Sequence, residues 1–353
     1  MRIIDLRSAT GTRRTEGRRA AMAAAPVGDD VYGEDPTVSR LEAVMAERLG
    51  KEAGLFVASG TMGNLVAILT HASRGDEMIL GDLAHTFLYE GGGAAGLGGV
   101  HPHPIRNAPD GSLPLAAIKA AIRADDVHFP RTRLICLENT HNRCGGHPLT
   151  PEYCDAVGEL AHSRGISVHL DGARLFNAAI ALDVAPRDLT RAVDSVMVCL
   201  SKGLGAPVGS VLCGSRAFIE EARRVRKMVG GGMRQAGIIA AAGLYALEHH
   251  IDRLKEDHEN AARLGNAISE IDGLELGPDR APGQPVTTNL VYFRITRPGL
   301  SATTLAARLE ARGVLSHPLG ENDDQIRLAT HLDVDAADIE AAVTALRSAV
   351  EET

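Results

Sequence analysis

The sequence predicts an α/β protein with a mostly parallel β-sheet, followed by a smaller α+β unit. Through the middle of the chain, short apolar runs rich in β-branched residues alternate with longer segments of helical pattern. Several of these runs end in polar residues or glycine, as strands that open onto a ligand site do. We therefore predict a large domain over residues 1–247, with an N-terminal arm over 1–25, and a small domain over 248–353.

Composition narrows the class of protein. Of the 353 residues, 44% are hydrophobic and 23% are charged, which is typical of a soluble globular enzyme. The net charge of −8 argues against a nucleic-acid-binding protein, which normally has a basic face. Because the number of cysteines is odd and none forms a C-x-x-C pair, we expect a reducing cytoplasm. No apolar run is long enough to predict a membrane span.

The elements of the first half follow from periodicity and from glycine and proline positions. Pro26 ends the first helical pattern, and Pro36 precedes the second, as proline does at the first position of a helix. The patterns predict helices over 15–25, 38–49, 62–70 and 115–123, a helix start at 85–90, and strands over 55–58, 78–80, 100–105 and 133–137.

The second half continues the alternation and then changes character after residue 247. Gly165 closes one helix and a glycine loop over 230–235 opens another. The predicted helices are 151–164, 187–193, 217–228, 238–247, 249–271, 303–312 and 336–350, and the predicted strands are 166–170, 195–200, 208–213, 288–293 and 325–329.

A lysine follows one of the most apolar strands. The run 196–200 ends in Ser201-Lys202-Gly203, which places Lys202 at the edge of the sheet. On its own, this pattern is typical of a lysine that reaches into water just past a strand end. Alternatively, a buried lysine with a lowered pKa can form a Schiff base with a carbonyl cofactor.

Other polar residues also follow predicted strands, and they favour the second interpretation of Lys202. Ligands bind at the carboxyl ends of the strands in an open α/β sheet, so these residues are expected to converge. They are Ser59-Gly60-Thr61, Asp82 with nearby His85, Glu138-Asn139, Asp171 and Lys202.

Two of these positions suit a phosphorylated pyridine cofactor. Gly60-Thr61 opens a helix whose free N–H groups could bind a phosphate, although Ser59 or Thr61 could equally be a simple N-cap. Asp171 could hold a protonated ring nitrogen, or could cap the turn that follows it. Together with Lys202, they form a coherent set for pyridoxal phosphate.

With this set of residues and the segments given below, the chain resembles the threonine aldolases, within the aspartate-aminotransferase-like group of pyridoxal-phosphate enzymes. Similar segments occur in family order over nearly the whole chain. They are Asp5-Leu-Arg-Ser8, residues 28–37, Ser59-Gly-Thr61, Glu138-Asn-Thr-His-Asn142, residues 169–174, residues 200–205, residues 230–235 and residues 327–333. One departure is Ala9, where the family usually has aspartate.

The resemblance implies a seven-stranded sheet and a set of cofactor contacts. Lys202 would form the Schiff base, Asp171 would bind the ring nitrogen, and His85 would stack on the ring. The phosphate would be bound by Gly60 and Thr61, and by Arg234 together with Lys227 from a neighbouring subunit. Such a shared site implies a homo-oligomer, for which we expect the tetramer common in the family.

The resemblance also implies the reaction. Ser8, Arg174 and Arg327 would bind a substrate carboxylate, for which the guanidinium fork is suited. His85 and His128 are candidate bases for removing a β-hydroxyl proton, and water is a third. The expected activity is cleavage of L-threonine, L-allo-threonine and related β-hydroxy-α-amino acids to glycine and an aldehyde.

Two alternative functions stay open from the sequence. The first is another pyridoxal-phosphate enzyme of the same fold, such as a β-eliminating lyase or an aminotransferase. The second is an α/β binding protein without enzymatic activity.

Two further patterns are not interpreted as sites. Gly91-x-Gly93-x-x-Gly96 follows no apolar strand, so we expect a small-residue loop or a close-packed helix and not a dinucleotide site. Cys136, His141, Cys144 and His147 fit no common zinc spacing, and no metal is predicted.

Overall fold

The computed structural model describes residues 2–13, 15–319 and 322–352. Met1 and Arg14 of the predicted arm, and Gly320, Glu321 and Thr353 of the predicted small domain, lie outside the described residues. The strands are β1 (Ile4–Asp5), β2 (Ala53–Val57), β3 (Glu77–Gly81), β4 (His101–Ile105), β5 (Thr132–Glu138), β6 (Ser167–Asp171), β7 (Ser195–Cys199), β8 (Ser210–Gly214), β9 (Leu274–Leu276), β10 (Leu290–Ile295), β11 (Val314–Leu315), β12 (His317–Leu319) and β13 (Gln325–Ala329).

The helices agree closely with most of the predicted ones. They are α1 (Glu16–Ala23), α2 (Pro36–Arg48), α3 (Gly60–His71), α4 (His85–Leu88), α5 (Gly93–Gly96), α6 (Leu115–Ala121), α7 (Pro151–His162), α8 (Leu175–Leu182), α9 (Pro186–Thr190), α10 (Arg216–Met228), α11 (Gly237–His249), α12 (Leu254–Ser269), α13 (Ala302–Ala311) and α14 (Ala336–Glu351). None of the helices in the described ranges is both long and apolar enough to cross a bilayer.

The main sheet confirms the α/β prediction. Its seven strands are ordered β2-β8-β7-β6-β5-β3-β4. β8 runs antiparallel to both of its neighbours, and the remaining neighbouring pairs are parallel. β7 and β8 are buried at every residue, as expected for central strands covered on both faces. The carboxyl ends of β3, β5, β6 and β7 therefore lie along one edge of the sheet.

A second sheet forms the core of the C-terminal part. Its antiparallel strands are ordered β12-β13-β10-β9. Ile4 and Leu6 belong to the same hydrophobic cluster as Phe293 and Leu346 from this part. In addition, β1 pairs with β11. The start of the predicted arm thus packs with the small unit and not with the large one, because its apolar side chains fill that second core. The division at residue 247 stays a prediction.

Two helix predictions were wrong. The predicted helix 249–271 is interrupted: α11 ends at His249 and α12 begins at Leu254. The break begins at His250, whose buried ring makes a 2.7 Å hydrogen bond through Nδ1 to the Leu204 carbonyl. No helix was predicted at α8, which is short and almost wholly apolar. Two helices and a strand therefore separate Asp171 from Lys202.

Candidate active site

The predicted convergence at the strand ends is present around Asp171, the last residue of β6. The backbone N–H of Asn139, just after β5, donates to the Asp171 carbonyl over 2.8 Å. Lys202 lies in the loop after β7, and its positive charge is close enough to lower the pKa of Asp171. Within the described residues, the Lys202 ammonium has no hydrogen bond or ion pair. The structure thus places an acid and an uncommitted amine at one edge of the sheet.

The Asp171 carboxylate is buried and held from two sides. Its Oδ1 accepts from the N–H of Ala173 over 3.0 Å, and its Oδ2 accepts from Nδ2 of Asn64 over 2.9 Å. Burial and the nearby Glu138 raise its pKa, while the charges of Lys202 and His85 oppose that rise. A buried carboxylate in this setting is stabilised by any cation that arrives beside it.

His85 is fixed next to Asp171 by two other carboxylates. Its backbone N–H donates to Glu138 over 2.8 Å, and its Nδ1 lies 2.9 Å from Oε1 of Glu90. Burial alone would lower the pKa of His85. The hydrogen bond to Glu90 and the negative charges of Asp171, Glu90 and Glu138 outweigh burial and raise the pKa. The ring is therefore a stronger base than a free histidine, with Nε2 left for another partner.

The first turn of α3 lies at the same edge. Ser59 is the N-cap, because its Oγ accepts from the N–H of Met62 over 3.1 Å. The N–H groups of Gly60 and Thr61 remain without a helical acceptor, as in any first turn. A Cβ on Gly60 would lie 2.7 Å from Sγ of Cys199, so glycine is required for this close approach of helix to sheet. The N-cap role of Ser59 therefore leaves the N–H groups of Gly60 and Thr61 available to a phosphate.

Two arginines lie close to each other beside this edge of the sheet. Arg327 donates through Nη1 to Asn142 Oδ1 over 3.2 Å and through Nη2 to the Arg7 carbonyl over 3.1 Å. The hydroxyl of Tyr292, the register partner of Arg327 on β10, donates to the same Asn142 oxygen. Burial and the charge of Arg327 lower the pKa of Arg174. The Nε atoms of both arginines are buried without a hydrogen-bond partner, which is an arrangement suited to an anion.

Ser8 lies next to this arginine pair. It follows Arg7, whose carbonyl accepts from Arg327. Its Oγ accepts from the N–H of Thr10 over 3.3 Å and from the Thr10 hydroxyl over 2.9 Å. The hydroxyl of Ser8 therefore still has its own proton to donate to a ligand.

Three predicted residues do not join the site of their own chain. Arg234 is 55% exposed and pairs with Asp29 over 3.0 Å, and Lys227 is exposed in the last turn of α10. His128 is 82% exposed, with a hydrogen bond from its N–H to Asp126. It lies in the loop before β5, whereas the site follows β5. Within one chain, the length of β5 therefore separates His128 from the site, and its candidacy as a base stays a prediction.

The sequence analysis missed several polar residues of the site. Glu90 and Asn64 hold His85 and Asp171, while Tyr292 holds Asn142. Asn142 was part of a family-like segment but was given no role. Nothing in the sequence indicated a role for Asn64, because a single asparagine within an apolar helix does not show which groups it contacts.

One group of side chains has the spacing of metal ligands. Among the described residues, atoms of His85, Glu90 and Asp171 all lie within 4.8 Å of one another. The same atoms are already engaged in the hydrogen bonds given above. Cys136, His141, Cys144 and His147 form no such group in the part of the chain that the structure describes.

Comparison with known proteins places the chain in a family. The sequence profile of the β-eliminating lyase family matches residues 5–294. The chain belongs to this family. It is 47% identical to low-specificity L-threonine aldolase 1 of Arabidopsis thaliana over 99% of this chain and 97% of that protein. It is also 47% identical to the low specificity L-threonine aldolase of Escherichia coli strain K12, over 94% and 95% of the two chains.

Solved structures of other proteins share the fold. The threonine aldolase of Leishmania major superposes with a TM-score of 0.81 at 21% identity, over 98% of this chain and 99% of that one. Serine palmitoyltransferase of Sphingomonas wittichii superposes with a TM-score of 0.77 at 18% identity, over 98% and 87%. At such identities the likeness shows the architecture alone.

Proposed function

We propose that this family member is a pyridoxal-phosphate-dependent aldolase. It cleaves L-threonine, L-allo-threonine and related β-hydroxy-α-amino acids to glycine and an aldehyde. One arrangement carries the proposal. A buried acid and a free lysine lie at one edge of the sheet, and two arginines with unpaired Nε atoms lie close together beside them. The names of the relatives that are 47–48% identical support the same substrate class.

The residues present fit the proposed cofactor. Asp171 offers a buried carboxylate to a ring nitrogen, Lys202 offers an amine, and Gly60 and Thr61 offer N–H donors to a phosphate. The ring of His85 lies beside Asp171 and would cover the face of the pyridine. When bound, pyridoxal phosphate supplies a ring that withdraws electrons from bonds at the α-carbon of an amino acid.

The remaining chemistry belongs to the chain. Arg174, Arg327 and the Ser8 hydroxyl bind the substrate carboxylate and so fix the rotation of the amino acid. His85 accepts the β-hydroxyl proton at Nε2, because Glu90 occupies Nδ1 and stabilises the positive charge that forms. Loss of that proton turns the hydroxyl into a carbonyl as the bond between Cα and Cβ breaks. The aldehyde leaves, and Cα takes up a proton to give glycine.

A second copy of the chain would complete the site. Arg234, Lys227 and His128 all lie outward, where they can reach a neighbouring subunit. An apolar groove of about 560 Å³ lies beside Ser59 and Thr61. It is bordered by Leu97 and Met228, which are 65% and 72% exposed. We therefore propose a homotetramer with shared sites, in which His128 or water competes with His85 for the role of base.

We also propose a cytoplasmic location. All five cysteines are among the described residues, and all are buried and unpaired. Burial raises the pKa of Cys144 and Cys154 to about 12, so these thiols stay protonated and inert. Free buried thiols of this kind are compatible with a reducing compartment.

The deciding experiment combines a visible spectrum of the purified protein with product analysis. We expect a yellow protein that loses its colour in Lys202→Ala, and that forms glycine and acetaldehyde from both threonine diastereomers. Pyruvate and ammonia from serine, with no glycine from threonine, would instead identify a β-eliminating enzyme. A colourless protein that binds no pyridoxal phosphate would contradict the proposal altogether.

A further inference from the structure

Asn64 lies behind Asp171 and is 1% exposed. It belongs to α3, one turn after the Gly60-Thr61 start. A Cβ on Gly63 would lie 2.5 Å from Cγ of Met197, so glycine at this position lets α3 lie directly on β7. This close packing brings the Asn64 amide to the end of β6.

The amide group joins two acids. Nδ2 of Asn64 donates to Oδ2 of Asp171 over 2.9 Å and to Oε1 of Glu90 over 2.8 Å. Since ionised carboxylates can only accept hydrogen bonds, the NH₂ group must face them. The oxygen of the amide must then face the other way, where it lies 3.0 Å from Nε2 of His169. Nε2 of His169 therefore carries the ring proton and donates it to Asn64.

The hydrogen bonds continue away from the site in one direction. Nδ1 of His169 accepts from Oγ of Ser195 over 2.8 Å, and Ser195 lies opposite His169 in the register of β6 and β7. Oγ of Ser195 in turn accepts from Nε2 of His71 over 2.8 Å. The His71 ring stacks on Phe218 with ring centres 4.5 Å apart. We call His71, Ser195, His169 and Asn64 the relay.

Burial keeps the relay neutral. It lowers the pKa of His169 to about 3, with a smaller effect from His71, and it lowers the pKa of His71 to about 4. Each histidine therefore has one donor and one acceptor nitrogen at neutral pH. In these tautomers, the relay matches the one orientation of the Asn64 amide that the two acids require.

We propose that Asn64 is a positioning residue that aims the Asp171 carboxylate at the ring nitrogen of the cofactor, and that the relay fixes its orientation. This inference rests on the proposed cofactor. The same amide also holds Glu90, and through it His85, so one side chain ties the partner of the ring nitrogen to the group that covers the ring. Without the amide, two adjacent carboxylates would share no donor, and their mutual repulsion would favour a proton between them.

The test compares two cofactors on the apo form of the full chain. One is pyridoxal phosphate, and the other is its 1-deaza analogue, in which CH replaces the ring nitrogen. We expect Asn64→Leu to weaken binding of pyridoxal phosphate by about 10–100-fold, the range of a hydrogen bond to a charged group. Binding of the analogue should change much less, because it has no nitrogen for Asp171 to hold and loses only the support that Asn64 gives to His85 through Glu90. Equilibrium fluorescence titration measures both dissociation constants.

A matched control separates positioning from stability. Asn260 is another buried asparagine, which donates to the Val334 carbonyl over 3.2 Å in the small unit. Asn260→Leu should lower the unfolding temperature as Asn64→Leu does, yet bind both cofactors like the wild type. If Asn64→Leu weakens both cofactors equally, its role is structural and the proposal is wrong.

The relay is tested at its far end, where the substitution is small. Ser195→Ala separates His71 from His169, and we expect about 3–10-fold weaker binding of pyridoxal phosphate alone, with recovery in Ser195→Thr. This pair decides the matter even if Asn64→Leu does not fold, because unchanged binding in Ser195→Ala contradicts the relay. If the wild type itself binds neither cofactor, the proposed function fails instead.

Discussion

The floor and the rim of the site differ in how completely their polar groups are paired within one chain. The floor consists of the acids and their partners: Asp171, Glu90, Glu138, His85 and Asn64. The rim consists of the cations Lys202, Arg174 and Arg327. Lys227 and Arg234, which are proposed to serve a neighbouring subunit, form an outer rim. Every floor carboxylate accepts at least two hydrogen bonds or lies against a histidine. In the rim, two guanidinium Nε atoms are buried without a partner, and Lys202 has none among the described residues.

The floor residues are therefore preorganised within one chain. The rim residues have unpaired groups that a ligand or another subunit can complete. Unpaired buried cations are unfavourable until an anion arrives, so binding of the substrate stabilises the rim. The floor needs no such completion. Substitutions in the floor should therefore alter cofactor binding and catalysis, and substitutions of Arg174 or Arg327 in the rim should alter substrate binding.

The largest effect is expected at the centre of the floor. Asp171→Asn keeps the size of the side chain but removes the charge that balances a ring nitrogen, so kcat should fall by about 10²–10⁴-fold. Steady-state formation of glycine from threonine measures this change. A variant with wild-type kcat would show that the acid is structural only, and the division between floor and rim would lose its functional meaning.

In the rim, Arg327→Leu should act on the substrate. Loss of the guanidinium group should raise KM for threonine by about 10–100-fold, while the affinity for pyridoxal phosphate stays close to that of the wild type. Arg327→Lys is the matched control, and it should recover only part of the loss because a lysine cannot bind in bidentate fashion. Weaker cofactor binding in both variants would contradict the assignment of Arg327 to the substrate carboxylate.

The outer rim gives a test of sharing between subunits. Lys202→Ala and Arg234→Ala should each be weakly active alone, because every site of either variant lacks one of these two residues. After unfolding and refolding as a mixture, about a quarter of the sites should combine an intact Lys202 with an intact Arg234 from a neighbour. Activity assays on the mixture measure this recovery. No recovery would mean that Arg234 serves its own chain or none.

The division between floor and rim also explains what the sequence could predict. Asp171 and Lys202 follow strongly apolar strands, so their convergence followed from strand order alone. Asn64 could not be found in this way, because its role depends on partners that are distant in sequence, at positions 169 and 171 on β6 and at position 90 in the turn after α4. His128 and Arg234 lie away from the site of their own chain, so their proposed roles need a second copy, whose surfaces periodicity does not record. Helix α8 was missed because it is short and almost wholly apolar, so a buried strand would give a similar pattern.

A smaller effect is expected at the junction of floor and substrate. Glu90→Gln removes a charge that raises the pKa of His85, leaving Asp171 and Glu138 as the acids that face the ring. Only neutral His85 can accept a proton, so activity falls as pH drops through its pKa. Because the substitution lowers the pKa of His85, the acidic limb of the pH profile of kcat/KM should move to lower pH in this variant. An unchanged limb would favour His128 or water as the base.

The smallest effect is expected at the start of α3. Ser59→Ala removes the N-cap and should lower stability by about 1 kcal/mol, and Ser301→Ala, which removes the cap of α13 through Thr304, should do the same. Only Ser59→Ala loosens the turn that presents Gly60 and Thr61, so it alone should weaken pyridoxal phosphate binding, by a factor of about three. Thermal unfolding and cofactor titration measure the two quantities on both variants. Equal cofactor affinity in the two variants would show that the first turn of α3 is not part of the phosphate site.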